Sequence, residues 1–188
     1  TGIDVAMPRD STYYKRIQVL LGLSGARKPV SIGRFTEDIQ NDSPPNFRYR
    51  RWNPKKNDYD SRCSPGAVKR TVWLACELKL IDSKTAALTS PGKEAGDEAR
   101  YDRVLSRRIK SYLNENGCPT ERIESTSQEF LSHAHPKLPT AVGLYEELIA
   151  KKKLPMHENT FHTMLRLLAN SGGIGSRRSQ IFFKTRRH

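Results

Sequence analysis

The chain has 188 residues, which suffices for one domain or for two small domains of about 90 residues each. Its 33 lysine and arginine residues outnumber 20 aspartate and glutamate residues, so the formal net charge at pH 7 is +13. Residues 1–99 hold 17 basic and 12 acidic side chains and residues 100–188 hold 16 and 8, which excludes a neutral enzyme domain with a charged tail and indicates a polyanionic partner.

The first half of the chain contains three helix patterns. Helices are predicted over residues 13–23 and 31–40, and a longer one opens at Ser64-Pro65 and reaches residue 80 or 81. Residues 41–64, which hold three prolines and many charges, are predicted to be irregular. Residues 80–89 are predicted to form a short hairpin. The third helix is predicted to turn these side chains inward: Val68, Thr71, Val72, Ala75 and Leu78.

The second half begins with a long predicted helix over residues 97–116, with Gly117 as its stop. A short helix is predicted from Ser125 or Ser127 through Leu131, and another follows Thr140. The last helix is predicted over residues 159–169, and Ser171-Gly172-Gly173 ends it because glycine readily adopts the left-handed conformation. Ile174 and residues 181–183 are then predicted to pair as two short strands.

The last predicted helix has two chemically distinct sides. At about 100° per residue, the apolar residues Phe161, Met164, Leu165 and Leu168 share one side. The other side carries four polar residues at spacings i, i+3, i+4 and i+7, namely Asn159, His162, Thr163 and Arg166. Their side-chain types hydrogen-bond base edges: asparagine pairs with adenine, arginine with guanine, and threonine or histidine with less selectivity.

This helix followed by a basic hairpin resembles the recognition helix and wing of the winged-helix family of DNA-binding domains. The first half is similar to the same family in its order of helices and hairpin, although 24 residues separate its second and third helices, where the family has a short turn. The resemblance implies a mainly α fold with small β-hairpin wings. It implies two winged-helix-like domains in tandem, residues 1–96 and 97–188.

The resemblance also implies which residues contact DNA. The recognition helix would enter the major groove, and cations around it would hold the phosphate backbone. Those cations are Lys151, Lys152 and Lys153 before the helix, and Arg177, Arg178, Lys184, Arg186 and Arg187 in or after the hairpin. An ordinary solvated charge run is the alternative for the three lysines.

Residues 47–56 interleave aromatic and cationic side chains. Such a run can lie along phosphates while its rings stack on bases, and we count Arg48, Arg50 and Arg51 as nucleic-acid contacts. An ordinary loop pinned by its own aromatics is the alternative. Lys69 and Arg70 on the third helix join the candidate contacts. Trp73 lies on the same polar side, and we expect it to pack beneath residues 41–64.

The three cysteines, Cys63, Cys76 and Cys118, are odd in number and far apart. They disfavour a disulfide framework, favour a reducing compartment and, without a CxxC pair, disfavour a zinc finger. No run of about 18 apolar residues and no signal-peptide pattern is found, so a soluble, intracellular protein is expected. The chain begins at Thr1 rather than Met, which is typical of a fragment or a processed chain.

Two residue patterns are considered as a catalytic site or a metal site. Asp58 or Asp60 followed by Glu77 and Lys79 matches the bare spacing of a PD-(D/E)xK-type nuclease, whose carboxylates hold Mg²⁺, although here the second motif falls within a predicted helix. The histidines at 133, 135, 157 and 162 lack a metal-binding spacing, since no HExxH is present. We therefore predict no enzyme activity, no metal and no cofactor.

The sequence thus predicts sequence-specific binding of double-stranded DNA, as a regulator, a replication protein or a DNA-recognition module. Two alternatives remain open: the DNA-recognition part of a restriction or mobile-element nuclease, and an RNA- or ribonucleoprotein-binding basic protein. No membrane partner is expected, and a partner subunit or homodimer is left open.

Overall fold

The predicted fold class, mainly α-helical with small β-hairpins, is confirmed by the computed structural model. The structure describes residues 12–125, 141–152, 156–177 and 180–183. Within these ranges the chain divides into two compact units, one from Thr12 to Arg100 and one from Tyr101 onwards. The division falls in the first turn of a helix.

The first unit begins with the two predicted helices, α1 (Thr12–Gly25) and α2 (Ile32–Asp42). The third helix, α3 (Pro65–Glu77), starts where the sequence indicates, because the Ser64 hydroxyl accepts a hydrogen bond from the Ala67 N–H and proline occupies the first turn. It ends three or four residues earlier than expected.

The core of the first unit forms where α3 packs against both α1 and α2. The five α3 residues predicted to face inward, Val68, Thr71, Val72, Ala75 and Leu78, are all buried. The other side of α3 is exposed, as expected from its lysine, arginine and glutamate residues. Phe47, from the segment before α3, is also fully buried and belongs to a short 3-10 helix, Pro45–Phe47, that contacts α1 and α3.

The prediction that residues 41–64 are irregular is wrong. After the 3-10 helix, β1 (Arg48–Asn53) pairs in antiparallel register with β2 (Asp58–Cys63). The turn between them is formed by four residues, 54–57. Asn57 takes a left-handed conformation there (φ 51°), and the Asn53 side chain accepts a hydrogen bond from the Lys55 N–H.

The hairpin predicted over residues 80–89 is reduced to a single bridge between Ile81 and Leu88. The Asp82 carboxylate closes a turn by accepting hydrogen bonds from the N–H groups of Lys84 and Thr85. The Thr85 carbonyl accepts a hydrogen bond from the Val30 N–H, and the Lys84 carbonyl accepts one from the Ile32 N–H. These carbonyls therefore do not pair with the second strand of a hairpin. Thr89 then caps a helix, α4 (Ser90–Ala95). The described hairpin of the first unit therefore precedes α3, whereas a wing would follow it.

The second unit contains the long predicted helix α5 (Glu98–Glu115) from Tyr101 onwards, and the six apolar residues of the helix from Tyr101 to Leu113 are buried. Gly117, in a left-handed conformation (φ 71°), follows it as predicted. Residues 120–125 are helical, and the predicted helix through Leu131 otherwise lies outside the described residues. Then come α6 (Ala141–Lys152) and α7 (Glu158–Asn170).

The C-terminal hairpin forms directly after α7. Gly172 adopts the left-handed conformation (φ 77°) that ends the helix, and β3 (Ile174–Arg177) pairs with β4 (Gln180–Phe183). The register joins Ile174 to Phe183 and Arg177 to Gln180. The apolar side of α7 packs into the unit as predicted, since Phe161, Met164, Leu165 and Leu168 are fully buried. The helix–hairpin order predicted for this segment is confirmed.

Within the described ranges, none of the helices has the combination of length and hydropathy that a bilayer crossing requires.

The tight approach of α4 to Leu80, three residues beyond the end of α3, yields a stability prediction. A Cβ at Gly92 would lie 1.9 Å from the Leu80 carbonyl oxygen, so Gly92→Ala forces the backbone apart. Overpacking costs about 1–3 kcal/mol, and we expect Gly92→Ala to lower the free energy of unfolding by about 2 kcal/mol or more. Urea denaturation followed by circular dichroism measures it.

The matched control is Gly33→Ala in α2, where a Cβ meets nothing within 4 Å. Alanine is the better helix former by about 1 kcal/mol, so this variant should be as stable as the wild type or more so. Equal unfolding midpoints for the two variants would contradict the packing described for Gly92.

Candidate nucleic-acid interface

The β1–β2 hairpin carries a dense set of cationic and aromatic side chains. In an antiparallel pair, the side chains of two residues opposite each other point to the same face of the sheet. Successive side chains along one strand point to opposite faces. The register therefore places Arg50, Trp52 and Tyr59 on one face and Tyr49, Arg51 and Arg62 on the other. All six are exposed, so the first unit covers neither face of the hairpin.

On the first face, three side chains form a contiguous group near the turn. The Arg50 guanidinium lies over the Tyr59 ring, 4.9 Å from its centroid, and the Trp52 ring meets the Tyr59 ring edge-on at 5.1 Å. Trp52 is still 47% exposed and Tyr59 52%. A cation and two rings that contact each other yet remain open to solvent are able to stack on bases or on ribose.

On the opposite face, Asp60 organises the base of the turn. Its carboxylate accepts hydrogen bonds from Asn53 Nδ2 at 2.7 Å, Lys56 Nζ at 3.1 Å and Arg62 Nη2 at 3.4 Å. The hydrogen bond from Asn53, followed by the one from Lys56, lowers the pKa of the Asp60 carboxyl below its ordinary value. This carboxylate is therefore charged at neutral pH and holds two of the hairpin's cations in place.

The three arginines predicted in this segment differ in their surroundings. Arg48 Nε donates to the Ser43 carbonyl at 2.6 Å, which ties the base of the hairpin to the end of α2. Arg50 engages Tyr59. The Arg51 guanidinium makes no hydrogen bond or ion pair within the described ranges, and neither does the Lys55 ammonium. Arg51 and Lys55 are thus available to an external anion.

An open recess lies beside the turn of this hairpin. We call it the tip recess; its volume is about 400 Å³ and its lining residues are Arg51, Trp52, Asn53, Pro54, Lys55 and Arg62. Three of the six are cations, one is an indole, and none is a carboxylate. The sequence interleaving of aromatics and cations is the signal for this site, but the recess itself depends on the strand pairing.

Two exposed cations of α3, Lys69 and Arg70, are the first unit's remaining candidate contacts. They lie on its outward side, as does Trp73, and Arg70 Nη1 donates to the Tyr13 hydroxyl at 3.1 Å. Trp73 is 45% exposed, so the expectation that it packs beneath residues 41–64 is wrong. It points away from the core because the inward side of α3 is already filled by Val68, Val72 and Leu74.

The four polar residues on the outer side of α7 differ in their exposure to solvent, although their spacing places them on one side of the helix. Asn159 is exposed near the first turn. Thr163 is half-buried, and its hydroxyl donates to the Asn159 carbonyl within the helix at 2.8 Å. Arg166 is also half-buried, and its Nε atom is enclosed without a hydrogen-bond partner among the described residues. Of the four predicted base-reading residues, Asn159 is thus the most accessible.

His162 packs against α6 and does not share the exposure expected of it. Its ring lies 6.2 Å from the ring of Tyr145 in an edge-on arrangement, and its side chain is only 18% exposed. Tyr145 packs on Phe161 at 5.4 Å, so the three rings form one contact between α6 and α7. Burial lowers the pKa of the His162 imidazole below its ordinary value, with Glu158 opposing that shift.

The cations around α7 are described in part. Lys151 and Lys152 belong to the last turn of α6 and therefore precede α7 on a helix. Arg177 ends β3 beside the hairpin's turn, opposite Gln180. The remaining predicted contacts lie outside the described residues: Lys153, Arg178, Lys184, Arg186 and Arg187.

The nuclease-like spacing has no matching arrangement in the described ranges. Glu77 is the last residue of α3, not part of a strand, and Lys79 follows it in a left-handed conformation (φ 54°). Asp60 is already engaged by three donors. Among the described residues, no group of three or more histidine, cysteine, aspartate or glutamate side chains is placed to hold a metal ion.

No family model, no curated protein and no solved structure matches this chain. The winged-helix resemblance therefore stays a prediction from the sequence.

The surroundings of His162 yield a prediction on pH and stability. A lowered pKa means that the folded protein binds the imidazole proton less tightly than the unfolded chain. The stability that neutral His162 contributes is therefore fully present above its ordinary pKa of 6.5 and is lost as the pH falls towards the lowered value. His162→Gln removes this titration.

We expect the stability difference between wild type and His162→Gln to shrink when the pH falls from 8 to 5. Urea unfolding at both values measures that difference, in which the titration of groups that do not interact with His162 cancels. A difference that is independent of pH would contradict the desolvated environment described for the ring.

Proposed function

We propose that the protein binds nucleic acid, with double-stranded DNA as its ligand. The observation that carries the proposal is the β1–β2 hairpin, a two-stranded element that is exposed on both faces and rich in cations. A two-stranded hairpin buries little and is marginally stable by itself. One that leaves arginines and aromatic rings open to solvent on both faces is suited to a partner that supplies negative charge.

The charges of the hairpin support this ligand class. Residues 48–63 hold six basic and two acidic side chains. Asp60 engages Lys56 and Arg62 but leaves Arg51 and Lys55 without an acidic partner in the described part of the chain. Each such cation that meets a phosphate releases condensed counterions, which favours binding at low salt whatever the base sequence.

The α7 helix and the β3–β4 hairpin supply the sequence-reading part of the proposal. Asn159 is exposed, and its carboxamide is the side-chain type that pairs with the N6 and N7 edge of adenine in the major groove. Arg166 lies two helical turns further along, and Arg177 ends β3 beside its turn. His162 is left out, because its ring is engaged with Tyr145.

The first test removes the two unengaged cations of the β1–β2 hairpin. We expect the double variant Arg51→Ala/Lys55→Ala to bind every duplex more weakly and to lower the slope of log K against log salt by about one per lost phosphate contact. Fluorescence anisotropy with labelled duplexes at several salt concentrations measures both quantities.

Arg34→Ala is the matched control. Arg34 is an exposed cation of the same unit, but its Nε lies 3.0 Å from Asp38 and it is not part of the hairpin. Its loss changes the net charge without changing the proposed contacts, so affinity should stay close to that of the wild type. A loss from Arg34→Ala of about half the free energy lost by the double variant, in proportion to one charge removed against two, would mean that net charge alone, and no particular surface, holds DNA.

The second test separates base reading from phosphate contact. We expect Asn159→Ala to reduce discrimination at one base pair by about 1–3 kcal/mol, and Lys152→Ala to weaken all sequences alike. Selection of preferred duplexes from a random pool, followed by competition titrations, measures this. Two variants that lose affinity equally on every sequence would contradict the assignment of α7 as a reading helix.

A further inference from the structure

We propose that the β1–β2 hairpin enters the major groove of DNA, where Arg62 reads a guanine while Arg51 and Lys55 bind phosphates. This inference rests on the proposed DNA binding and deepens it, because it names the groove, the base and the reading residue. Arg62 is not among the contacts that the sequence predicts for this segment.

The dimensions of the hairpin suit the major groove. A two-stranded ribbon fits into that groove, which is about 12 Å wide, whereas the minor groove is only about 6 Å wide. β1 and β2 have six residues each, so each strand extends about 20 Å at roughly 3.4 Å per residue. Every residue from 48 to 63 is exposed or half-buried. The hairpin can therefore enter the groove without displacing any core residue.

The two faces of the hairpin differ in what they offer to DNA. Arg51 and Arg62 share one face, which we call the cationic face. On the other face the Arg50 guanidinium lies over the Tyr59 ring, and the Trp52 ring contacts the same ring. Cross-strand contacts of this kind stabilise the pairing of two strands. The aromatic group thus stiffens the ribbon from behind, and the cationic face is the one that meets the floor of the groove.

Arg62 combines an exposed guanidinium with a defined position. Its side chain is 51% exposed, and its Nη2 atom donates to the Asp60 carboxylate at 3.4 Å. A guanidinium carries five N–H donors, so this hydrogen bond leaves donors for an external ligand. Arginine donates two parallel hydrogen bonds to the O6 and N7 atoms of guanine, which both face the major groove. Guanine is therefore the base that Arg62 fits.

The Asp60 carboxylate acts as a positioning residue for Arg62. It is itself held by two further donors, Asn53 Nδ2 at 2.7 Å and Lys56 Nζ at 3.1 Å. Only 22% of its side chain is exposed. A guanidinium that is already oriented loses less conformational entropy when it binds a base. The ion pair thus prepares Arg62 for a contact that demands a fixed geometry.

Arg51 and Lys55 are suited to phosphates instead of bases. Neither the Arg51 guanidinium nor the Lys55 ammonium has an acidic partner within the described ranges, so no carboxylate fixes its orientation. Both line the tip recess next to the turn. The end of a ribbon that crosses the groove lies close to the DNA backbone. A phosphate contact there needs positive charge and carries no base information.

The experiment selects preferred duplexes from a random pool and then replaces their guanines, one at a time, by 7-deazaguanine, which lacks the N7 acceptor. We expect one position at which the replacement weakens binding of the wild-type chain at least about five-fold, as for a hydrogen bond to a charged group. At that position it should weaken binding of Arg62→Ala less than about two-fold, because the donor is already gone. A purely structural role of Arg62 produces no loss confined to one base.

Arg51→Ala is the matched control, because it deletes the same side-chain type and the same charge from the same face. It should weaken binding to every duplex and remain as sensitive to the 7-deazaguanine as the wild type. Asp60→Asn tests the positioning role. It should lower the sensitivity at the same guanine while strengthening binding to unrelated duplexes, since it removes a negative charge.

Three results would overturn the inference. They are the lack of any guanine whose replacement is masked by Arg62→Ala, the same masking by Arg51→Ala, and equal binding of DNA and RNA duplexes of one sequence. The last result counts because the major groove of an RNA duplex is deep and too narrow for side chains to read. Each leaves the proposed binding of duplex DNA standing. A chain that binds no duplex would overturn the proposed function as well.

Discussion

The burial of Phe47 is the constraint on which the first unit's exposed surface depends. Phe47 is fully buried in the 3-10 helix that contacts α1 and α3, and its carbonyl accepts the Ser64 N–H at 2.8 Å. This bond closes the hairpin at its base, just where β2 passes into the N-cap of α3. Every hairpin residue beyond that bond is exposed or half-buried. A two-stranded ribbon is marginally stable alone, so the core holds this one through its base.

The two ends of the hairpin therefore have different roles. The base of the hairpin is tied to the core by Phe47 and to α2 by the hydrogen bond from Arg48 to Ser43. The distal part is organised by its own contacts, namely the Asp60 cluster on one face and the Arg50–Tyr59–Trp52 group on the other. Neither face is used for packing in the first unit. Ligand contacts can therefore form there without breaking the core.

The helices of this protein follow from its sequence because their signals are local. Ser64-Pro65 marks the start of α3, Gly117 follows the end of α5, and periodic apolar residues identify the buried side of each helix. The β1–β2 hairpin lacks the corresponding signal. Polar and aromatic residues occupy both of its faces, so the apolar–polar alternation of a half-buried strand is absent. The remaining sequence signal for a hairpin is the alternation of aromatic and cationic residues on either side of the Asn-Pro-Lys-Lys-Asn turn.

The polar side of α7 shows a different limit. Spacing correctly separated Phe161 and Leu165 from Asn159, but it could not tell which polar residues another helix would cover. The ring of Tyr145 in α6 contacts the ring of His162. That contact depends on the angle at which the two helices cross, and no local sequence pattern encodes this angle. The tip recess is similarly invisible in the sequence, because it exists only once Arg51 and Arg62 are brought together by strand pairing.

The exposed strands of the hairpin have a consequence for the protein when no ligand is bound. A two-stranded ribbon has two open edges, and unpaired backbone groups at such edges can recruit a strand from another molecule. Arg48, Arg50, Arg51 and Arg62 line those strands, and Pro54 interrupts the end of the ribbon. Like charges on two approaching copies repel, so the same arginines that suit a polyanion also protect the free protein against edge-to-edge aggregation.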